Sequence, residues 1–161
     1  MKDTYLPDET FMREAIRLSR EKMEQGYGGP FGAVIVRQNE IIARGFNNVL
    51  SSHDPTAHAE VDAIRKAALA LGTHDLADCT IYTSCEPCPM CLGAIYWARL
   101  KKVYFGNTHS DAAEIGFDDS FIYQEIEKER SQRCIPMQQL LPDEAKVAFE
   151  AWMQRENKQP Y

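Results

Sequence analysis

The chain has 161 residues, about the length of one domain, and its 44% hydrophobic, 26% charged and 10% aromatic residues are typical of a globular protein. No apolar run approaches the roughly 18–20 residues that cross a bilayer, and the N-terminus lacks the apolar core of a signal peptide, which indicates a cytoplasmic protein. The net charge is −6, and no basic run exceeds Lys101-Lys102. Because proteins that grip nucleic acid usually present a basic face, a nucleic-acid partner is disfavoured and a small neutral substrate is favoured.

Hydrophobic spacing and turn residues divide the first half of the chain into two helices and a hairpin. Apolar residues three and four apart predict a first helix that Gly26 ends. A short apolar run follows, and Gln38-Asn39-Glu40 indicates a turn into a second strand. Gly72 ends an Ala-rich helical segment. The predicted elements are a helix over 8–25, strands over 31–36 and 41–46, and a helix over 58–71.

The second half of the chain continues the alternation of strands and helices. The predicted elements are strands over 79–84 and 102–105, a helix over 88–99, short helical pieces over 110–130, a weak strand over 135–140 and a helix over 142–155. Because the sequence has no internal repeat, linker or low-complexity tract, we expect a single domain over 1–161. Strand–helix alternation after an initial hairpin predicts an α/β fold with a mixed sheet of about five strands.

The cysteines carry the first chemical signal. There are five of them, an odd number, and Cys85, Cys88 and Cys91 fall within seven residues. In a cytosolic chain such clustering more often indicates metal binding than disulfides. A redox-active Cys88–Cys91 pair remains an alternative.

His58, Cys88 and Cys91 have the residue types and the number of a catalytic zinc site. Zinc takes imidazole nitrogen and thiolate sulfur, and catalytic sites keep three protein ligands and one open position. The two cysteines lie three residues apart at the predicted start of a helix, where free backbone N–H groups favour thiolates. Spacing alone does not separate Cys85 from Cys88 as the ligand. One zinc ion per chain is therefore expected.

Glu60 is the candidate general acid and base. On a regular helix His58 and Glu60 would diverge by about 200°. If the helix starts near His58, the less regular backbone lets both side chains reach one cavity. A carboxylate there takes a proton from a water and passes it to a leaving amine, which is what hydrolytic deamination requires.

His58-Ala59-Glu60, followed by Pro87-Cys88-Pro89-Met90-Cys91, resembles the signature of the zinc-dependent cytidine deaminase-like superfamily. Within it the chain is similar to the bacterial guanine deaminases. The similar stretches are GGPFGAVIV (28–36), NNV (47–49), DPTAHAEV (54–61), YTSCEPCPMCLGAIYWAR (82–99), GFDDSFIY (116–123) and the final Tyr161.

This resemblance implies a three-layer α/β/α sandwich and a homodimer in which the C-terminal segment, about 142–161, is exchanged between subunits. It implies hydrolysis of guanine to xanthine and ammonia, a step of purine catabolism, with zinc on His58, Cys88 and Cys91 and with Glu60 moving the protons. It also implies a set of residues that bind the substrate. Asp118 is the alternative to Asp119 in this set, because the two are adjacent and an error of one residue would exchange them. That set is Phe31, Asn47, Ala59, Asp119 and Tyr161, the last closing the neighbouring subunit's site.

Two other functions stay open at this point. The same core serves deaminases of adenosine in tRNA and of cytosine, which would keep the chemistry and change the substrate. A non-catalytic module with a structural zinc, or a redox protein, would use the cysteines without any deamination.

Overall fold

The computed structural model describes residues 7–160. The chain forms two compact units, the first ending at Ser120 and the second beginning at Phe121. Within the described residues no helix is both long and apolar enough to cross a membrane.

The first helix, α1 (Glu9–Glu24), matches its predicted span of 8–25 to within one residue at each end. The Asp8 carboxylate caps it by accepting a hydrogen bond from the Thr10 backbone N–H at 2.8 Å. Phe11, Ala15 and Leu18 form its buried face. The spacing of apolar residues therefore identified both the helix and the side that packs on the sheet.

Four strands make the sheet of the first unit, in the order β2-β1-β3-β4. The strands are β1 (Gly32–Arg37), β2 (Glu40–Phe46), β3 (Thr80–Cys85) and β4 (Lys102–Asn107). The first two form an antiparallel hairpin whose turn residues Gln38 and Asn39 both have positive φ, 50° and 64°. Strand β3 pairs antiparallel with β1 and parallel with β4, so the sheet is mixed, as predicted.

Both faces of the sheet are covered by helices. Val34 and Tyr82 point toward α1 and pack with Phe11 and Leu18. The alternate residues of the same strands, including Ile35, join the other core cluster, which contains residues of two further helices. These are α3 (Ala59–Leu71) and α4 (Pro89–Trp97), so the predicted α/β/α arrangement is confirmed in the first unit.

A glycine lets α3 approach the sheet closely. A Cβ atom on Gly45 would lie 2.1 Å from the Ala59 carbonyl oxygen and 2.5 Å from the Ala63 backbone nitrogen. Only a residue without a side chain fits there. The first turn of α3 is consequently held against β2, which fixes where His58 and Glu60 emerge.

The remaining elements are helical, and this corrects the strand count. They are α2 (Val49–Ser52), α5 (His109–Glu114), α6 (Ser120–Glu127), a 3₁₀ turn (Arg130–Gln132) and α7 (Pro142–Gln154). The strand predicted over 135–140 was wrong, and the described residues form a sheet of four strands where about five were expected. Pro136 cannot donate a ladder hydrogen bond, and the polar pair Gln138-Gln139 breaks the apolar alternation.

Candidate metal centre and active site

The predicted metal ligands lie together at the beginnings of two helices. His58 is the N-cap of α3, Cys88 is the N-cap of α4, and Cys91 follows in the first turn of α4. The His58 Nδ1 atom lies 3.5 Å from the Cys88 Sγ and 3.6 Å from the Cys91 Sγ. All the ligand atoms lie within 4.8 Å of one another, so the three residues can hold one metal ion.

Hydrogen bonding already prepares Cys88 as a thiolate. The pKa of its thiol is lowered to about 4, chiefly because Cys91 donates to it and also because of the neighbouring His58. The same contact with Cys88 raises the pKa of His58. Because metal binding needs deprotonated ligands, a cation that replaces the shared protons would release them to solvent.

The donor set fits zinc. One imidazole nitrogen and two thiolate sulfurs are the ligand types that zinc prefers and that Mg²⁺ or Ca²⁺ does not. In the part of the chain that the structure describes, the group holds three ligands, which leaves one tetrahedral position for water or substrate. Two thiolates balance the charge of Zn²⁺, so its burial costs little electrostatically.

The structure groups Cys88, and not Cys85, with His58 and Cys91. Cys85 belongs to the end of β3 and donates its thiol hydrogen to the Thr108 carbonyl oxygen at 3.7 Å. Burial, followed by the nearby carboxylate of Glu60, raises the pKa of this thiol to about 11. Cys85 is therefore held as a neutral thiol and lies outside the metal-binding group.

Glu60 is buried beside the ligands. Only 5% of the residue is exposed, and its Oε2 atom accepts a hydrogen bond from the Cys91 thiol at 3.3 Å. Its Oε1 atom accepts one from the Thr83 hydroxyl at 3.1 Å. Burial raises the pKa of this carboxyl above the usual range of a glutamate.

The backbone at His58 explains how the side chains of His58 and Glu60 both contact Cys91. As N-cap, His58 has extended φ and ψ angles of −75° and 157°, and the helix begins only at Ala59. The about 200° separation expected on a regular helix does not apply across that boundary. The sequence-based expectation of an irregular helix start is confirmed.

Asn47 directly follows β2 and is buried. Its Oδ1 atom accepts hydrogen bonds from the backbone N–H groups of Gly29 and Val49, at 3.2 and 3.3 Å. A Cβ atom on Gly28 would lie 2.0 Å from that oxygen, so glycine is required there. These contacts fix the orientation of the amide group.

Phe31 lies beside Asn47 and contacts a second aromatic ring. The Asn47 N–H donates to the Phe31 carbonyl oxygen at 3.0 Å. The Phe31 ring meets the Phe117 ring edge to face, with centroids 5.0 Å apart. The loop before β1 and the GFDD segment are thus in contact.

The two neighbouring aspartates have different partners. The Asp118 carboxylate accepts a hydrogen bond from the Ser120 backbone N–H at 2.9 Å, which lowers the pKa of Asp118. Asp119 lies 3.1 Å from the His109 Nδ1 atom, and its side chain is 16% exposed. Asp118 is thus engaged at the start of α6, whereas Asp119 is the more buried of the substrate-binding candidates in this segment. Tyr161 lies outside the described residues.

Sequence reasoning missed three residues that contact candidate site residues, Thr83, His109 and Phe117, and a fourth, Glu86, that contacts His109. Thr83, Glu86 and Phe117 stand inside the quoted motifs, and that position was the only available signal. The contacts of Thr83 and His109 arise from sheet register and from the start of α5, which a local pattern does not display.

Comparison with known proteins agrees with this geometry. Residues 6–107 match the family model of the cytidine and deoxycytidylate deaminase zinc-binding region. The guanine deaminase of Bacillus subtilis (strain 168) is 58% identical over 153 residues, which cover 95% of this chain and 98% of that protein. The X-ray structure of guanine deaminase from Bacillus subtilis superposes with a TM-score of 0.93 at 57% identity, covering 97% of this chain and 99% of that one.

A second group of relatives is similar over a shorter region. The tRNA-specific adenosine deaminase of Bacillus subtilis (strain 168) is 46% identical over 99 residues, which cover 62% of this chain and 61% of that protein. The similarity to this relative is therefore much less extensive than the similarity to guanine deaminase.

Zinc binding should depend on Cys88 and Cys91 and not on Cys85. Replacing either ligand by serine removes one of three donors, so the affinity for zinc should fall by more than the roughly 10–100-fold that follows loss of a residue that only hydrogen-bonds to a ligand. Metal analysis after dialysis against a chelator should show about one zinc per chain in the wild type and in the Cys85→Ser control. Full zinc retention by both Cys88→Ser and Cys91→Ser would show that the ligands are assigned wrongly.

Proposed function

This chain belongs to the zinc-dependent deaminases of the cytidine and deoxycytidylate deaminase family, in the guanine deaminase branch, and from that premise we propose that it hydrolyses guanine to xanthine and ammonia. The observation that carries the proposal is the buried Glu60 carboxylate held against a His58, Cys88 and Cys91 site that leaves one metal position open. A closed structural zinc site would not need such a carboxylate.

His58, Cys88 and Cys91 would hold the zinc. When bound, zinc supplies Lewis acidity that brings the pKa of a coordinated water toward neutrality. Metal binding would displace the proton of the Cys91 thiol, the N-terminus of α4 would favour both sulfurs as thiolates, and the His58 ring would supply the neutral third donor.

Glu60 would move two protons. It takes the first from the attacking water and delivers it to ring nitrogen N3 as the oxygen bonds to C2 of guanine. It then takes the second from the new hydroxyl and gives it to the amine, so that the C2–N bond breaks and ammonia leaves. Thr83 holds the carboxylate during both transfers. The water's oxygen ends as the C2 carbonyl of xanthine, and its two protons are on N3 and on ammonia.

Four described residues would position the purine. The oxygen of the Asn47 amide is engaged by backbone donors, so its NH₂ group would face an acceptor on the base. Phe31 would stack on the ring, and Asp119 would accept the N–H groups of the guanine edge. Ala59 stands in the first turn of α3, where backbone N–H groups lack helical partners and so would bind an acceptor on the base.

The runner-up is deamination of adenosine in tRNA, because a tRNA-specific relative is 46% identical. Two observations favour guanine. The similarity to guanine deaminase spans 95% of the chain rather than 62%, and the net charge of −6 is unfavourable for a polyanion.

Glu60→Gln should retain zinc and lose turnover. The amide keeps the size of the side chain and removes its proton transfer, so kcat for guanine should fall by about 10²–10⁴-fold. Ammonia release and zinc content should be measured on the same sample, with Glu40→Gln, at the exposed start of β2, as the matched control. Turnover near that of the wild type, with zinc retained, would refute proton transfer by Glu60.

We also propose that the single deaminase domain of residues 1–161 forms a homodimer by exchanging the segment of about 142–161. Within the second unit, the α7 residues Val147, Phe149, Trp152 and Met153 are 42–75% exposed. Exposed apolar surface of this extent supports burial against another copy. In this proposal Tyr161 of one subunit closes the substrate site of its partner.

Mixed dimers test the exchange. A Glu60→Gln chain and a Tyr161→Ala chain should each have little activity, but a dimer containing one of each keeps one intact site. Random pairing on co-expression should therefore restore about one quarter of the wild-type activity. Activity no greater than that of the separate variants, or a monomeric mass by light scattering, would contradict the proposal.

A cytoplasmic location is part of the same proposal. The metal site needs Cys88 and Cys91 reduced, and all the described cysteines are free thiols. Such thiols persist in a reducing compartment, where purine catabolism would supply guanine.

A further inference from the structure

We propose that His109 is a positioning residue that orients Asp119 toward the substrate and so helps the site to select guanine. This inference rests on the proposed role of Asp119 in binding the guanine edge. His109 itself is not assigned any contact with substrate or metal.

His109 lies between two carboxylates. Its Nδ1 atom is 3.1 Å from the Asp119 Oδ1 atom, and its Nε2 atom is 3.5 Å from the Glu86 Oε1 atom. The backbone N–H of His109 also donates to the Glu86 Oε2 atom at 3.2 Å. Glu86 therefore holds His109 at two points, and the ring presents its other nitrogen to Asp119.

The backbone that carries this group is fixed by the sheet. Glu86 directly follows β3, and its N–H donates to the carbonyl oxygen of Asn107, the last residue of β4, at 2.8 Å. Thr108 caps α5 through a reciprocal pair of hydrogen bonds with Asp111. His109 is the first residue of that helix, so its position is set by two parallel strands and a helix cap.

The same end of the sheet carries the catalytic candidates. Thr83 of β3 donates to the Glu60 carboxylate at 3.1 Å. Cys85, two residues further along the same strand, donates to the carbonyl oxygen of Thr108, the residue before His109, at 3.7 Å. The end of β3 therefore contacts both Glu60 and the segment that carries the partner of Asp119.

The chemistry of the base explains why orientation matters. The guanine edge offers two adjacent N–H donors, and a carboxylate accepts both only when its plane is aligned with them. Adenine presents a ring-nitrogen acceptor at the corresponding place, which a carboxylate repels. A hydrogen-bond donor that fixes one oxygen of the Asp119 carboxylate also fixes the plane of that carboxylate. Loss of His109 should therefore weaken both the binding of guanine and its selection over adenine.

A double-mutant cycle with a rescue variant tests the inference. His109→Phe keeps the ring and removes both nitrogens, whereas His109→Asn keeps an N–H donor near the Nδ1 position. Removal of a hydrogen bond to a charged group should lower kcat/KM for guanine by about 10–100-fold in His109→Phe. We expect His109→Asn to recover most of that loss. Zinc content should remain at the wild-type value in both variants, because His109 is outside the metal-binding group.

The cycle is completed by Asp119→Asn and the double variant. If His109 acts through Asp119, His109→Phe should lower kcat/KM by less than about threefold in the Asp119→Asn background. Multiplicative losses, or a His109→Phe variant within about twofold of wild type, would overturn the inference while leaving guanine deamination intact. Absence of guanine turnover in the wild type would instead overturn the proposed function, and an Asp119→Asn variant with wild-type kcat/KM would overturn both the Asp119 assignment and the role of His109.

Discussion

The site depends on placing two helix N-termini at one end of one sheet. His58 and Cys88 are the N-caps of α3 and α4, so an imidazole and a thiol leave the backbone just where each helix begins. Partial positive charge at these ends stabilises thiolates, and the extended backbone of the caps frees the side chains from helical geometry. The core behind them supplies the constraint, since both helices pack on the same face of the sheet. Among residues 7–160 three donors then meet without a fourth, which is the ligand number of a catalytic rather than a structural zinc site.

The burial of Glu60, the proposed general acid and base, follows from the same placement. Because Gly45 has no side chain, the first turn of α3 approaches β2, and Glu60 enters the protein interior instead of solvent. An isolated buried carboxylate would be costly, but here the Thr83 hydroxyl and, while it is protonated, the Cys91 thiol donate to its two oxygens. Burial also raises the pKa of Glu60, which supports the proton transfer proposed for it.

Much of this was predictable from the sequence, for physical reasons. The helices and strands around the motifs begin and end within about two residues of their predicted bounds, because capping residues, glycine stops and strongly periodic apolar residues all agree there. The strand predicted over 135–140 was wrong. Its apolar pattern is weak, and Pro136 lacks the N–H group that a strand needs for pairing. The contacts of His109 and Thr83 depend on which strands lie side by side, and a local pattern does not encode that register. The sequence left Cys85 and Cys88 as alternatives, and only the packing of Cys85 against the carbonyl oxygen of Thr108 favours Cys88.

The identity of the substrate is the central point to test, because one zinc-and-glutamate site can serve several bases. The most direct measurement is ammonia release by the zinc-loaded chain, incubated in parallel with guanine, adenine, cytosine and a tRNA anticodon hairpin. The account predicts one ammonia and one xanthine for each guanine consumed, and rates at least about 100-fold lower with the other three, since polar sites reject substrates that leave their groups unpaired. Ammonia released faster from adenine, cytosine or the hairpin than from guanine, or none released from guanine, would contradict it.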